Sequence, residues 1–349
     1  MTPRPRPTSP TRARSAAGAR RRTIAVTALA GALALTGCGA QDALVGLHPA
    51  PAEKTAAAPL DVEGATAVAT RLLTEADAPA QAGAAAAAKA REGVLMGDAL
   101  TVANARAASK VSSEAATTEL ATAPRPTVVA QSQGRDWPRA ILATTLDDAT
   151  NTQFLHVMLS EKPDQPFRIT ASVPMFGGAA LPALGDSSKG APLLDTGAKN
   201  GLAQVPADVV TAYAGALATP KPKATNAVEV DDPFATALRT SAAAQAKALG
   251  KLATLSQKHE PLLEDAVTFR LADGGAVTFG LMRRTDTVSL KPAAKEVVLP
   301  AEYAKVTGKK KATKSFTLSN LEPFVMVVPT SGKAKVIGAT ELLTSGKAR

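Results

Sequence analysis

Val267-Thr268-Phe269-Arg270-Leu271 and Ala276-Val277-Thr278-Phe279-Gly280-Leu281 flank Ala272-Asp273-Gly274-Gly275. Two β-prone runs on either side of an Asp-Gly-Gly turn predict an antiparallel hairpin. Alternation puts Phe269, Leu271, Phe279 and Leu281 on a buried face and turns Arg270 to water. The hairpin therefore commits the C-terminal half to antiparallel sheet, with further strands expected at Phe316-Thr317-Leu318, over residues 324–328 and over residues 335–337. Upstream, Asp232-Pro233 has the form of an N-cap followed by Pro at the first helical position. It opens a helix toward Leu255 with Phe234, Leu238, Leu249 and Leu252 on one side. A shorter helix follows Pro206, with Val209, Val210, Tyr213 and Leu217 at helical spacing.

The N-terminal half has the same order. Asp61 caps a segment whose Val62, Ala65, Val68, Ala69, Leu72, Leu73 and Ala76 recur at three- and four-residue intervals as far as Ala78-Pro79. A second amphipathic piece runs from Val94 through Leu100 and Val102. The period then shortens: residues 127–131, 140–146, 153–160 and 167–176 are alternating or β-branched and separated by Pro, Asp, Asn and Gly. Helices followed by strands, twice over, predict an α+β protein of two domains, 59–204 and 205–349, each with helices packed on an antiparallel sheet. Residues 177–204 read as the connection between them, and 218–230 as a linker inside the second. One continuous α+β domain with its helices on one face is the alternative.

Composition restricts the function. The chain is 45% hydrophobic but only 3% aromatic, so alanine supplies much of the apolar fraction and the core must rest on Leu, Val, Ile and Phe. The formal charge of +10 is concentrated at the start: residues 1–37 hold seven arginines and no acid, leaving +3 for residues 38–349. That balance offers no argument for nucleic acid. Basic residues from Arg4 to Arg22 precede an uncharged run from Thr23 to Leu35, too short to span a bilayer and suited to a signal h-region.

Leu35-Thr36-Gly37-Cys38 closes that run and resembles the bacterial lipobox. The resemblance implies that the Cys38 thiol receives a diacylglyceryl group and that cleavage falls just before it. Residues 1–37 would then be a lipoprotein signal peptide, and 38–58 a lipidated Cys with a flexible tether of Ala, Pro and small polar residues. Export by the Sec or the twin-arginine route stays open, since Arg21-Arg22 has flanks that match the twin-arginine motif poorly. Cys38 is the single cysteine, so no disulfide or thiol chemistry is expected.

Trp137-Pro138-Arg139, Gly178-Ala179-Ala180-Leu181-Pro182 and Ala272-Asp273-Gly274-Gly275-Ala276-Val277 are similar to segments of a family of actinobacterial lipoproteins of unassigned function. So are Arg283-Arg284-Thr285-Asp286-Thr287, Val327-Val328-Pro329 and Val336-Ile337-Gly338-Ala339. The resemblance implies an exported, extracytoplasmic protein and carries no known activity. In element order alone the chain also resembles the cone-shaped α+β fold of nuclear-transport-factor-like and ketosteroid-isomerase-like domains, which does not fix a function.

Little in the sequence carries chemistry. The three histidines are dispersed: His48 in the tether, His156 in a strand and His259 at an expected helix C-terminus. No metal-ligand spacing, phosphate loop or nucleophile elbow is present, and no cofactor is expected. Asp147-Asp148 and Asp231-Asp232 suit a turn and a helix cap. The catalytic candidates are His156, on a strand face with Phe154 and Met158, and Asp136 and Arg168 as groups that would orient it. Residues 305–314 form a basic loop suited to anionic lipid or a teichoic-type polymer, or to blunting a sheet edge. The expectation is a membrane-anchored, non-enzymatic envelope module that binds a protein partner or a small ligand. The competing classes are a cone-fold isomerase, dehydratase or hydrolase using His156, and a structural spacer.

Overall fold

Structure changes character where the hydrophobic period does. Helices α1 (Val62–Asp77), α2 (Ala84–Val94) and α3 (Gly97–Ala108) precede a four-stranded antiparallel sheet of β1 (Thr127–Gln131), β2 (Arg139–Asp147), β3 (Thr152–Ser160) and β4 (Arg168–Pro174), in that order. These coordinates are a computed structural model, which describes residues 57–77, 84–108 and 124–349. Cys38, the expected signal segment and the expected tether up to residue 56 lie outside the described residues, as does His48. Among the described residues no helix is long and apolar enough to cross a membrane.

The α1 helix starts where Asp61 Oδ1 accepts the Gly64 N–H at 2.7 Å. Its Ala65, Ala69, Leu72 and Leu73 meet Ile141, Ala143, Met158 and Ile169 on one face of the first sheet. After β4 come the short β5 (Leu193–Leu194), then α4 (Pro206–Ala216) and α5 (Pro233–Leu249). The α5 cap is the expected one: the Asp232 side chain accepts from Ala235 N at 2.9 Å, with Pro233 next. The helix stops at Leu249, where Gly250 takes φ 50°, rather than running on to Leu255.

A second antiparallel sheet is built on long strands. β6 (Ala253–Arg270) and β7 (Ala276–Leu290) form the hairpin around Asp273-Gly274, pairing from Ala253↔Leu290 to Arg270↔Ala276. Beyond them β8 (Val297–Val298), α6 (Ala301–Thr307) and β9 (Lys311–Ala312) lead into β10 (Ser315–Val328), β11 (Lys335–Ala339) and β12 (Leu342–Ala348). The order is β11-β10-β7-β6-β5, with β12 on the same edge of β10 as β11 but lower along it. A bulge between Leu262 and Val267 bends β6 in mid-strand, where Gly280 leaves room for the Phe324 ring and Leu263.

The two halves of this long sheet do different work. In the hairpin half, Val267, Phe269, Val277, Phe279, Val325 and Ile337 share one core with Leu142, Leu155, Val157 and Val173 of the first sheet. Neither sheet buries that face alone, since each side chain of this size contributes about 1.5–3 kcal/mol only when removed from water. The described residues accordingly fall within one compact unit, and the expected boundary at 204/205 does not divide them. Residues 177–204 are not a free connection: Leu184, Ala191 and Leu202 are buried and β5 joins the long sheet. Residues 218–230 are tied down as well, by bridges Thr219↔Gln257 and Val228↔Ala334.

Candidate functional site

In the far half of the long sheet, the inward face carries charge where a core would be expected. Strand register sets His259, Arg284 and Asn320 side by side, with Gln257 and Asp286 in the next row and Glu322 across from Met282. All six are buried. Arg284 is the hub: its Nε lies 3.0 Å from Asp286 Oδ1, and its Nη1 lies 3.1 Å from Glu322 Oε1 and 2.5 Å from Glu341 Oε2. Glu322 Oε2 sits 2.8 Å from His259 Nδ1, and Asn320 Nδ2 donates to Asp286 Oδ2 at 3.3 Å. Burial and the neighbouring Glu322 push the Asp286 carboxyl up, against the pull of Arg284. Burial disfavours the guanidinium charge, but Asp286, Glu341 and Glu322 outweigh it and hold Arg284 above its ordinary range.

This cluster is bounded by apolar packing. On one side Met282, Phe324 and Met326 meet α4 and the start of α5 through Tyr213, Phe234 and Leu238. On the other, Leu255, Val288, Phe316 and Leu318 meet Ala242, Leu249, Leu299 and Tyr303. Helix α5 thus runs from one apolar cluster to the other across the charged band. His259 Nε2 has no hydrogen-bond partner among the described residues. The arrangement is an internal ion network between the two apolar clusters.

His259 is therefore not at a helix C-terminus, as its Lys-His-Glu-Pro context suggested. Polar Gln257 and His259 occupy inward positions of β6, which hides the strand's period in the sequence.

His156 is buried on the face of the first sheet that α1 covers. Its Nε2 is 2.8 Å from Thr145 Oγ1, its Nδ1 is 3.0 Å from Ser172 Oγ, and its ring stacks on Phe154. Burial drives the imidazole pKa down to about 4, so it is neutral near pH 7. The structure does not bring the candidate triad together. Arg168 pairs with Leu159, three residues along β3 and so about 10 Å from His156. Asp136 lies before Arg139, which pairs with Ser160 still farther along. Both hydrogen-bonding partners of the imidazole are hydroxyls, and neither carries charge. A depression of about 330 Å³ lined by Thr127, Thr144, Thr145 and Gln153 reaches only Thr145.

The outward face of the same far half is a different surface. β6 presents Thr254, Ser256, Lys258 and Glu260, all exposed, and β7 presents Arg283, Thr285, Thr287 and Ser289. Ser315, Thr317 and Ser319 of β10 and Ser345 and Lys347 of β12 complete it. Register aligns them in rows across the strands, Ser256–Thr287–Thr317–Lys347 and Lys258–Thr285–Ser319–Ser345. Hydroxyls in both dimensions, about 4.8 Å apart between strands and about 7 Å along them, make a polar lattice. The alternation was visible in the sequence as Ser/Thr at every second position, but without the pairing it did not identify a shared face.

A model of a domain of unknown function, DUF8094, matches residues 132–348. The chain belongs to the DUF8094 family. No curated protein and no solved structure matches the chain. The DUF8094 span takes in β2–β12 with helices α4, α5 and α6, and so contains the ion network and the hydroxyl lattice together. It also runs through 204/205 without a break, in keeping with the shared core. Helices α1, α2 and α3 precede it.

Proposed function

We propose that this protein is an extracytoplasmic lipoprotein, anchored to the cell membrane through lipid on Cys38, whose α+β body is a non-enzymatic binding module. The observation that supports the binding role is the hydroxyl lattice on the outward face of β6, β7, β10 and β12. The opposite face of those strands is filled by the ion network and by α4, α5 and α6, and the hairpin half is filled by the first sheet. A solvent-facing polar surface on a strongly held sheet is suited to docking. The lipobox Leu35-Thr36-Gly37-Cys38 after an uncharged run supports the anchor.

Two measurements test the reading. Cys38→Ser should release the protein from the membrane fraction or leave it uncleaved, because serine forms no thioether; normal processing and membrane retention would refute the anchor. For the module, wild-type protein and the Thr285→Arg/Thr287→Arg variant are used to retrieve partners from membranes of the native cell. Loss of retained material with an unchanged melting temperature supports docking on this face. Identical recovery places the binding surface elsewhere.

A further inference from the structure

Helix α3 is held to the body differently from the other long helices. Each of those buries an apolar row: Ala65, Ala69 and Leu72 in α1, Val209, Val210 and Tyr213 in α4, and Phe234, Leu238 and Ala242 in α5. In α3 the one buried residue is a carboxylic acid, Asp98, which is 8% exposed. Ala99, Leu100, Val102 and Ala103 are only half-buried, and residues 106–108 are exposed. A helix docked through so little apolar area sits at the weakly retained end of the structure.

Asp98 occupies a junction between the two sheets. Just before it, Leu95 bridges Ile169 of β4 and Met96 N–H donates to Ile169 O at 2.9 Å, so the chain entering α3 is fixed to the first sheet. Val94 and Met96 are buried there as well. Gly97 then turns with φ 51°, and a Cβ on it would lie 2.8 Å from Thr170 Oγ1 and 3.0 Å from Asp265 Cβ. The turn thus places the start of α3 between β4 and the bulge of β6. Beyond it the helix also packs on β12, the strand that carries Ser345 and Lys347 of the hydroxyl face.

No countercharge meets Asp98 at this junction. A helix N-terminus favours an anion, but burial opposes it and the charges that act on the group, Asp265 and Glu264 of β6, are both negative. The remaining elements against α3 bring no relief. Arg91 of α2 donates through Nε to Asn104 Oδ1 at 3.0 Å, and neither Glu92 of α2, Arg168 of β4 nor Lys347 of β12 acts on the carboxyl. Burial first, then the two carboxylates, raise its pKa from 3.8 to about 7. The docked helix therefore holds a proton that a released helix gives up.

We propose that α3 is an acid-held latch: with Asp98 protonated the helix closes the junction of β4 and β6, and on deprotonation it opens about Gly97 while the sheets keep their shared core. The latch goes beyond the docking role and does not depend on what the hydroxyl face binds. Its sense follows from the raised pKa. The proton's contribution to docking is full below about pH 4, declines as pH rises and is gone above about 7. No buried apolar row on α3 compensates for the loss.

Hydrogen exchange of the full-length protein in detergent, corrected for intrinsic rates, tests the latch between pH 5 and pH 8. Protection over residues 101–108 should fall by at least about tenfold across that range, whereas α1 and α5 keep theirs. Asp98→Asn should make the protection of α3 independent of pH. Glu264→Gln/Asp265→Asn leaves Asp98 in place and removes the repulsion, so it should shrink the fall at least about threefold. That second variant decides the matter if Asp98→Asn does not fold. Flat protection of α3 in the wild type would overturn the latch. An equal fall in α1, α3 and α5 would also overturn it, because the whole body would then be opening. A fall that persists undiminished in both variants would assign the response to another group and overturn the role of Asp98.

Discussion

His259 and Glu322 stand 2.8 Å apart, Nδ1 to Oε2, with both side chains removed from water and 63 residues of chain between them. Such a pair brings two strands of the sheet into one charge system, because Glu322 is also held by Arg284. Three carboxylates converge on that one guanidinium, from Asp286, Glu322 and Glu341. A buried network of this kind costs desolvation, and its usual effect is to exclude arrangements in which any member lacks its partner.

Arg284→Met should therefore destabilise severely, by about 3–5 kcal/mol, because it leaves carboxylates buried without their cation. Arg284→Met/Glu322→Leu/Asp286→Leu should recover much of the loss, since apolar groups of similar volume fill the same space. Denaturant unfolding of the variants measures both. A small loss for the single change would mean that water reaches the network and that it contributes little to the fold.

The architecture was partly legible in the sequence, and the reasons are local. The hairpin around Asp273-Gly274, the Asp232-Pro233 cap and the α1 spacing rest on interactions within a few residues, so they could be read directly. The pairing of the two sheets could not. Val157 and Val173 look the same in a strand that faces a helix as in one that faces Phe279 far along the chain. The ion network was obscured for the opposite reason: Gln257, His259, Arg284 and Asp286 are polar at inward positions, so β6 and β7 are polar on both faces there and lose their period-two signal. The lattice was present as alternating Ser and Thr, but register across four strands is what makes a surface of it.

Gly338 tests the shared core. A Cβ at this position would run into the Pro174 carbonyl oxygen, and Phe176 N–H donates to Ile337 O at 2.9 Å beside it. Gly338→Ala should force β11 away from the end of β4 and cost about 1–3 kcal/mol. Calorimetry should show one cooperative transition in both proteins, shifted to lower temperature in the variant. Two transitions, with only the later one moved, would mean that the sheets unfold independently.

Asp98, at the start of α3, gives the protein an acid-stabilised element. Burial, with Asp265 and Glu264 adding repulsion, raises its pKa from 3.8 to about 7. The native state thus holds a proton that the unfolded chain releases. The contribution is full below about pH 4, declines as pH rises toward 7 and is constant above. Asp98→Asn should gain on wild type as pH rises, ending on the order of 2–4 kcal/mol better at pH 8 than its relative standing at pH 4. Urea midpoints across that range decide it, and a pH-independent difference between the two would refute the assignment.

His156 acts in the reverse sense over an overlapping window. Its pKa falls from 6.5 to about 4 because burial disfavours the charged imidazolium, whose ring has the Thr145 and Ser172 hydroxyls as hydrogen-bonding partners. Unfolding lets it take up a proton, so the stability it confers is full above pH 6.5, declines as pH falls toward 4 and levels below. Between those values Asp98 gains what His156 loses, and the wild-type profile should be flatter than either group alone would make it. Removing Asp98 with Asn should unmask a fall of about 3 kcal/mol from pH 7 to pH 4. Adding His156→Gln should abolish that fall, at a cost of about 1–2 kcal/mol at pH 7.5 from poorer hydrogen bonding. A histidine working as an acid-base group would show its ring titrating near neutrality, which ¹H–¹⁵N resonances of the imidazole report directly. Titration between pH 6 and 7 would overturn the buried, neutral assignment; a ring still neutral at pH 5 would fix His156 as part of the core beneath α1.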